Sequence, residues 1–277
     1  MLIFISLRHI SCCISIVAAF TATLSMPVQA LDSERKMSAV SPAVLADLAP
    51  GGTLRAAINF GNPVLAQQAA DGSPQGVSVQ LAKALAKELN VPLEMVTFDA
   101  AGKVFAALDQ NTWNVAFMAI EPVRAAQVAF SDPYVAIEGT YLVRADSTFT
   151  QVDDLDSAGL KLAVGKGAAY DLYLSRTLKH AELHRAETSA GAVDLFLDQG
   201  LDAAAGVRQP LEKFAAAHAG YRVIEGQFTS IRQAMAVPRQ HSAGAEYIQD
   251  FVKRQKANGL VRKALDETGQ ADVTVPQ

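Results

Sequence analysis

The residues with the clearest capacity for chemistry lie between Ala116 and Tyr134, in the stretch AFMAIEPVRAAQVAFSDPY. Pro122 suits the first turn of a helix, where its missing N–H costs nothing. Arg124 then falls in that same turn. A guanidinium presents a planar fork of donors that matches two carboxylate oxygens. Unpaired N–H groups and the dipole at a helix start favour an anion too. Arg124 is therefore a candidate carboxylate clamp, set against the alternative of a solvated surface arginine. Glu121 stands directly before Pro122, where a threonine would cap the helix better. It is a second candidate, set against a surface acid that the helix dipole tolerates. Phe117 and Ala119, from the apolar run NVAFMAI (114–120), are counted with them.

A second device is Gly165-Lys166-Gly167-Ala168-Ala169. It joins a strand-like KLAVG to a helix-like AAYDLYLSRTLK. The N–H groups around Gly167, Ala168 and Ala169 offer donors to an anion, and an ordinary tight turn explains the glycines equally well. It is no dinucleotide motif, because the third glycine is missing. Asn59 and Asn62 offer neutral amides, although an asparagine before Pro63 is also ordinary turn chemistry.

Other chemistries find little material. His180 and His184 are four apart but straddle a helix end and a strand, and His218 and His241 stand alone. No metal site and no cofactor are expected. No G-x-S-x-G elbow occurs. Both cysteines, Cys12 and Cys13, sit in an apparent leader, so the rest of the chain offers no thiol or disulfide. That leader has Arg8, an apolar run from Ile10 to Leu24, and small residues at Val28-Gln29-Ala30. The pattern is that of a secretory signal cleaved after Ala30, and the apolar run is shorter than the roughly 20 residues of a membrane span. The net charge is −4, and losing one arginine with the leader makes the remainder more acidic. Bulk electrostatics therefore exclude a nucleic-acid binder.

The elements that must position these residues alternate. TLRAAIN (53–59), LEMVTF (93–98), NVAFMAI, TYLVRA (140–145), KLAVG, AELHRA, LDAAAGV, YRVIEG and QAMAVPR read as strands. Between them, SVQLAKALAKELN carries Leu81, Leu85 and Leu89 on one face, with Ser78 as its cap and Asn90 and Pro92 as its stop. GKVFAALDQ, SAGAVDLFLDQG, QPLEKFAAAH, SAGAEYIQDFVKRQKANG (capped by Ser242) and LVRKALDETG read as further helices. Trp113, Phe196 and Leu197 are expected in the core. Residues 31–51 read as a lead-in segment. The βα alternation argues for parallel-dominated α/β sheets.

With these pieces in order, the chain resembles the extracellular solute-binding proteins of ABC transporters, in the polar amino-acid-binding family (family 3). GGTLRAAIN, GVSVQLAKALAKELNVPLEMV, NVAFMAIEPVRAAQVAFSDPY, KLAVGKGAAYDLYL, LDAAAGV, AMAVPR and FVKRQKANGLVRKAL carry the resemblance, roughly from Gly52 to Gly269. It implies an α/β, two-lobed periplasmic-binding-protein fold (type II) with a ligand cleft between the lobes. The lobes would be 31–138 with 232–277, and 139–231, hinged near 136–142 and 229–236. It implies that Arg124 grips the α-carboxylate of a ligand, with a membrane permease as partner. A monomer in the periplasm is expected.

Departures from the family pattern bear on the ligand. Ala119 stands where a hydroxyl is usual, Ala168 or Ala169 where threonine is usual, and Asn62 near an expected aromatic. Val207-Arg208-Gln209 stands where an acid would bind the ligand's ammonium. A buried ammonium needs a partner, so either Glu121 or Glu138 takes over or the ligand lacks that group. If Arg208 turns into the cleft, it would attract a second anion. The same scaffold also resembles periplasmic cyclohexadienyl dehydratases, with Glu121 as the general acid. A third reading is a sensing module that docks on a separate membrane receptor.

Overall fold

The structure is a computed structural model that describes residues 40–277. The leader and its cleavage point after Ala30 lie outside the described residues. The first element lies in the segment read as a lead-in: helix α1 (Pro42–Leu48). Ser41 caps it by accepting from the Val44 N–H at 3.3 Å, and Pro42 takes the first helical position.

Strand β1 (Leu54–Asn59) is followed by a small antiparallel pair, β2 (Gln67–Gln68) and β3 (Pro74–Gln75). Helix α2 (Val77–Leu89) buries Leu81, Leu85 and Leu89, as their spacing requires. It does not start at a Ser78 cap. Gly76 holds the cap position at φ 116, where a Cβ would sit 2.4 Å from the Leu65 carbonyl oxygen. Only glycine fits so close a backbone crossing. Ser78 lies inside the helix instead, with its hydroxyl 3.3 Å from that of Tyr134. Asn90 ends the helix in the left-handed conformation.

Next come β4 (Leu93–Phe98), α3 (Ala101–Ala106) and β5 (Val115–Ala119), every residue of which is buried. The four-residue α4 (Pro122–Ala125) and the short β6 (Val128–Phe130) lead to β7 (Val135–Arg144). A second alternating series follows: β8 (Lys161–Gly165), α5 (Ala169–Thr177), β9 (Glu182–Ala186), α6 (Ser189–Gln199), β10 (Ala203–Val207) and α7 (Arg208–Ala217). The chain closes with β11 (Tyr221–Val223), β12 (Thr229–Pro238), α8 (Ser242–Ala257) and α9 (Leu260–Asp266). Helix α8 is preceded by His241 without a side-chain cap, so Ser242 is its first residue rather than its cap. Asp47 of α1 accepts the Gly244 N–H at 2.9 Å and ties α1 to α8.

The strand order is β4-β1-β5-β12-β7-β10-β8-β9. Each end of this order is a parallel trio joined by helical crossovers, as βαβ units must be. The middle departs from the expected parallel arrangement. β7 and β12, ten residues each, pair antiparallel with one another from Gln233↔Val135 to Thr229↔Gly139. The rest of β12 pairs with β5 and β6, and the rest of β7 with β10 and β11. These two strands are thus shared by two α/β halves.

Each half has its own apolar filling. Trp113 is buried with Met118, Val104 and Ala57, and its indole N–H donates to the Val104 carbonyl at 3.0 Å. Phe196 is buried with Leu142, Ala163 and Leu211, and Leu197 packs half-buried against that cluster. Among the described residues, no helix is long and apolar enough to cross a membrane.

Candidate functional site

A cavity of about 510 Å³ opens where the two halves meet. Its wall draws on the loop after β1, on β5 and α4, on the starts of α5 and α6, and on the β10–α7 junction. Of the residues expected at a site, Asn59, Asn62, Phe117, Ala119, Arg124, Ala168 and Ala169 line it. Glu121, Gly167 and Arg208 do not, nor does Glu138.

Arg124 dominates the chemistry. It is 1% exposed and lies among the largest fully buried side chains. Its Nη1 donates to the Ala119 carbonyl at 3.1 Å and its Nη2 to the Gly167 carbonyl at 2.8 Å. Its Nε has no hydrogen-bond partner among the described residues. Burial lowers its pKa well below the ordinary arginine value, to about 10, against the pull of the Glu121 charge. The group therefore stays cationic at neutral pH, hydrogen-bonded to neutral carbonyls, with Glu121 acting on it only at a distance.

The helix that carries it is shorter than the sequence suggests. α4 is one turn, and two of its N–H groups are bonded within it. The Arg124 and Ala125 N–H groups both return to the Glu121 carbonyl, at 3.0 and 2.9 Å. With Pro122 lacking an N–H as well, the expected ring of helix-start donors is reduced, and the guanidinium supplies the charge. Glu121 is buried, and its carboxylate pairs with Arg176 of α5 at 2.6 Å.

The glycine turn also differs from the expected donor cradle. Gly167 gives its N–H to Asp171 at 2.8 Å, Ala168 gives its own to Gly165 at 3.0 Å, and Lys166 donates to Ala186 at 2.8 Å. Gly167 presents its carbonyl, not its N–H, to Arg124. Its φ of +69 and its approach to Gly102 both demand glycine. A Cβ on Gly167 would meet the Gly102 Cα at 2.9 Å, and one on Gly102 would meet the Lys166 oxygen at 2.6 Å. This backbone contact brings α3 of one half against the β8–α5 turn of the other.

Arg208 turns away from the cavity. It pairs with Glu138, with Glu212 at 3.4 Å, and with the Gly226 carbonyl. Its neighbour Val207 takes the place in the wall. Asn59 and Asn62 each combine two roles. They line the cavity, and their side-chain oxygens accept local N–H groups, from Gly61 at 2.9 Å and from Val64 at 3.3 Å.

The wall also contains residues that the sequence reading missed, among them Thr188, Ser189, Asp194 and Gln233. Thr188 caps α6 by accepting from the Gly191 N–H at 3.0 Å, and Ser189 accepts from the Tyr170 hydroxyl at 2.9 Å. Gln233 is a lone buried polar residue in the apolar strand QAMAVPR. That isolation was a readable signal, because a polar side chain in a covered strand needs a reason.

The class of protein now follows. The family model for bacterial extracellular solute-binding proteins, family 3, matches residues 54–269. The chain belongs to that family. Solved structures share the fold. A cysteine-binding protein from Campylobacter jejuni is 24% identical with a TM-score of 0.72, covering 84% of this chain and 99% of that one. A mutant of ArgBP from T. maritima is 23% identical with a TM-score of 0.71, over 82% and 99%. An ancestral amino acid-binding protein, a precursor of cyclohexadienyl dehydratase, is 26% identical with a TM-score of 0.67, over 80% and 98%. No curated protein matches the chain in sequence. The fold is the two-lobed periplasmic-binding-protein fold, as the resemblance implied.

Proposed function

We propose that the protein is the periplasmic solute-binding component of an ABC importer, working as a monomer. It captures a small carboxylate between its lobes and delivers it to a membrane permease. The lobes are 31–138 with 232–277, and 139–231, and the paired strands β7 and β12 are the hinge, bending in the manner of periplasmic binders. A leader cleaved after Ala30 exports the chain.

The observation that carries this reading is Arg124: a fully buried cation in the cavity wall that has, among the described residues, an unpaired Nε and only neutral carbonyl partners. A buried charge of that kind is costly unless an anion completes it. Its two carbonyl partners come from opposite lobes, so one group senses both.

The same site supports binding rather than catalysis. A dehydratase needs a cleft acid with a raised pKa. Glu121, the acid named for that role, is outside the wall and bound to Arg176. Asp99 and Asp194, the acids within the wall, are exposed, and Lys103 holds the Asp99 pKa low.

Calorimetry with an identified carboxylate ligand tests the reading. Arg124→Ala should weaken binding by at least the roughly 1.5–3 kcal/mol of a hydrogen bond to a charged group. Unchanged affinity in a folded variant would end the proposal.

A further inference from the structure

The cavity wall carries one buried charge and a broad apolar lining. Phe60 and Leu65 enter from the loop after β1, Val193 from α6, and Val207, Leu211 and Phe214 from the β10–α7 side. At about 510 Å³ the space exceeds what a carboxylate alone would fill, and it falls in the usual range of small-molecule sites, about 300–1,000 Å³.

A second ionic group on the ligand would find no buried counter-charge among the described residues. An ammonium needs an acid, and the wall's acids, Asp99 and Asp194, are solvent-exposed, with Asp99 held by Lys103 at 2.8 Å. The buried acids nearby are spoken for outside the wall. Glu121 pairs with Arg176, and Asp171 pairs with Arg185 at 3.0 Å while accepting the Gly167 N–H. The other polar side chains of the wall are neutral: Gln233 offers an amide that can orient a ligand but supplies no counter-charge. Asn59, Asn62 and Thr188 each accept a backbone N–H. A second anion is no better served, because Arg208 is consumed by Glu138, Glu212 and the Gly226 carbonyl.

We infer that the ligand is a monocarboxylate with an aromatic or branched aliphatic body and no α-ammonium group. The inference rests on Arg124 as the carboxylate clamp and adds what the rest of the wall selects. The apolar body would gain its affinity from burial against the phenylalanines and aliphatic side chains. The amino counterpart would bring the cost of an unpaired cation into the same space.

The test is a set of calorimetric titrations of the dialysed protein. The probes are 3-phenylpropionate, L-phenylalanine and 3-phenylpropionamide, then 4-methylpentanoate with L-leucine, and glutarate. The expected result is that at least one desamino acid binds at least tenfold more tightly than its amino acid and than glutarate. Tighter binding of the amino acid would overturn the inference while leaving the clamp intact. Loss of that preference in Asp194→Asn would then identify Asp194 as the ammonium partner. Tighter binding of glutarate would overturn it as well. If the amide binds as well as the acid, or if no carboxylate binds at millimolar concentration, the clamp itself fails and the inference falls with it.

Discussion

Replacing Arg124 by methionine separates a cation kept for a ligand from a structural keystone. Methionine keeps much of the apolar stem and removes the charge, so little cavity is created. Burial lowers the arginine pKa well below its ordinary value, to about 10. At about 1.4 kcal/mol per tenfold change, keeping the charge inside the fold costs on the order of 3 kcal/mol. Against that stand the bonds to the Ala119 and Gly167 carbonyls, each worth about 1.5–3 kcal/mol when the donor is charged. The opposing terms partly cancel. The two bonds together come to about 3–6 kcal/mol, so ligand-free Arg124→Met should unfold in urea within about 3 kcal/mol of the parent. A residue of that size and burial would otherwise lose about 2–5 kcal/mol on truncation. Carboxylate affinity should fall sharply in the same protein. Destabilisation beyond about 4 kcal/mol would show that Arg124 holds the two halves together on its own account, and the reasoning from an uncompensated charge would be refuted.

Three further outcomes are expected. Gly167→Ala should cost about 1–2 kcal/mol from its left-handed φ, and the added Cβ, 2.9 Å from the Gly102 Cα, should weaken ligand binding as well; urea melts and titrations that match the parent would contradict this. Carboxylate affinity should be level from pH 7 to pH 9 and about fourfold lower at pH 10.5, because Arg124 discharges in the ligand-free protein near pH 10. The sign for stability is opposite: the folded protein loses this proton before the unfolded chain does, so the penalty is full below about pH 10 and fades as the pH rises above it. Amino-terminal sequencing of the exported protein should begin at Leu31, and a membrane-held product retaining Met1 would contradict the leader.

Local signals in the sequence located most elements. KLAVG is β8 residue for residue, and the leucine spacing of α2 and its Asn90 stop are as read. Ser41-Pro42 was an equally good helix start, but the small, mixed residues around it hid α1. Misreadings arose where a distant contact decides the outcome. Gly76 replaces Ser78 as cap because the chain must pass the Leu65 backbone. The antiparallel β7–β12 pair joins segments about ninety residues apart, which no short window shows. At the site, Arg124 and the apolar strand before it were legible from residue type. The fates of Glu121 and Arg208 were not, because each is set by a partner on another element, Arg176 and Glu138. Thr188, Ser189 and Asp194 reach the wall only through the packing of α6.

A ligand-bound crystal structure would show whether Arg124 is the anion clamp. The Nε of Arg124 has no partner among the described residues. A ligand carboxylate is expected within hydrogen-bond distance of that nitrogen, with the ligand's body against Phe117 and the apolar residues of the wall. A carboxylate bound elsewhere, with Arg124 still donating only to Ala119 and Gly167, would contradict it.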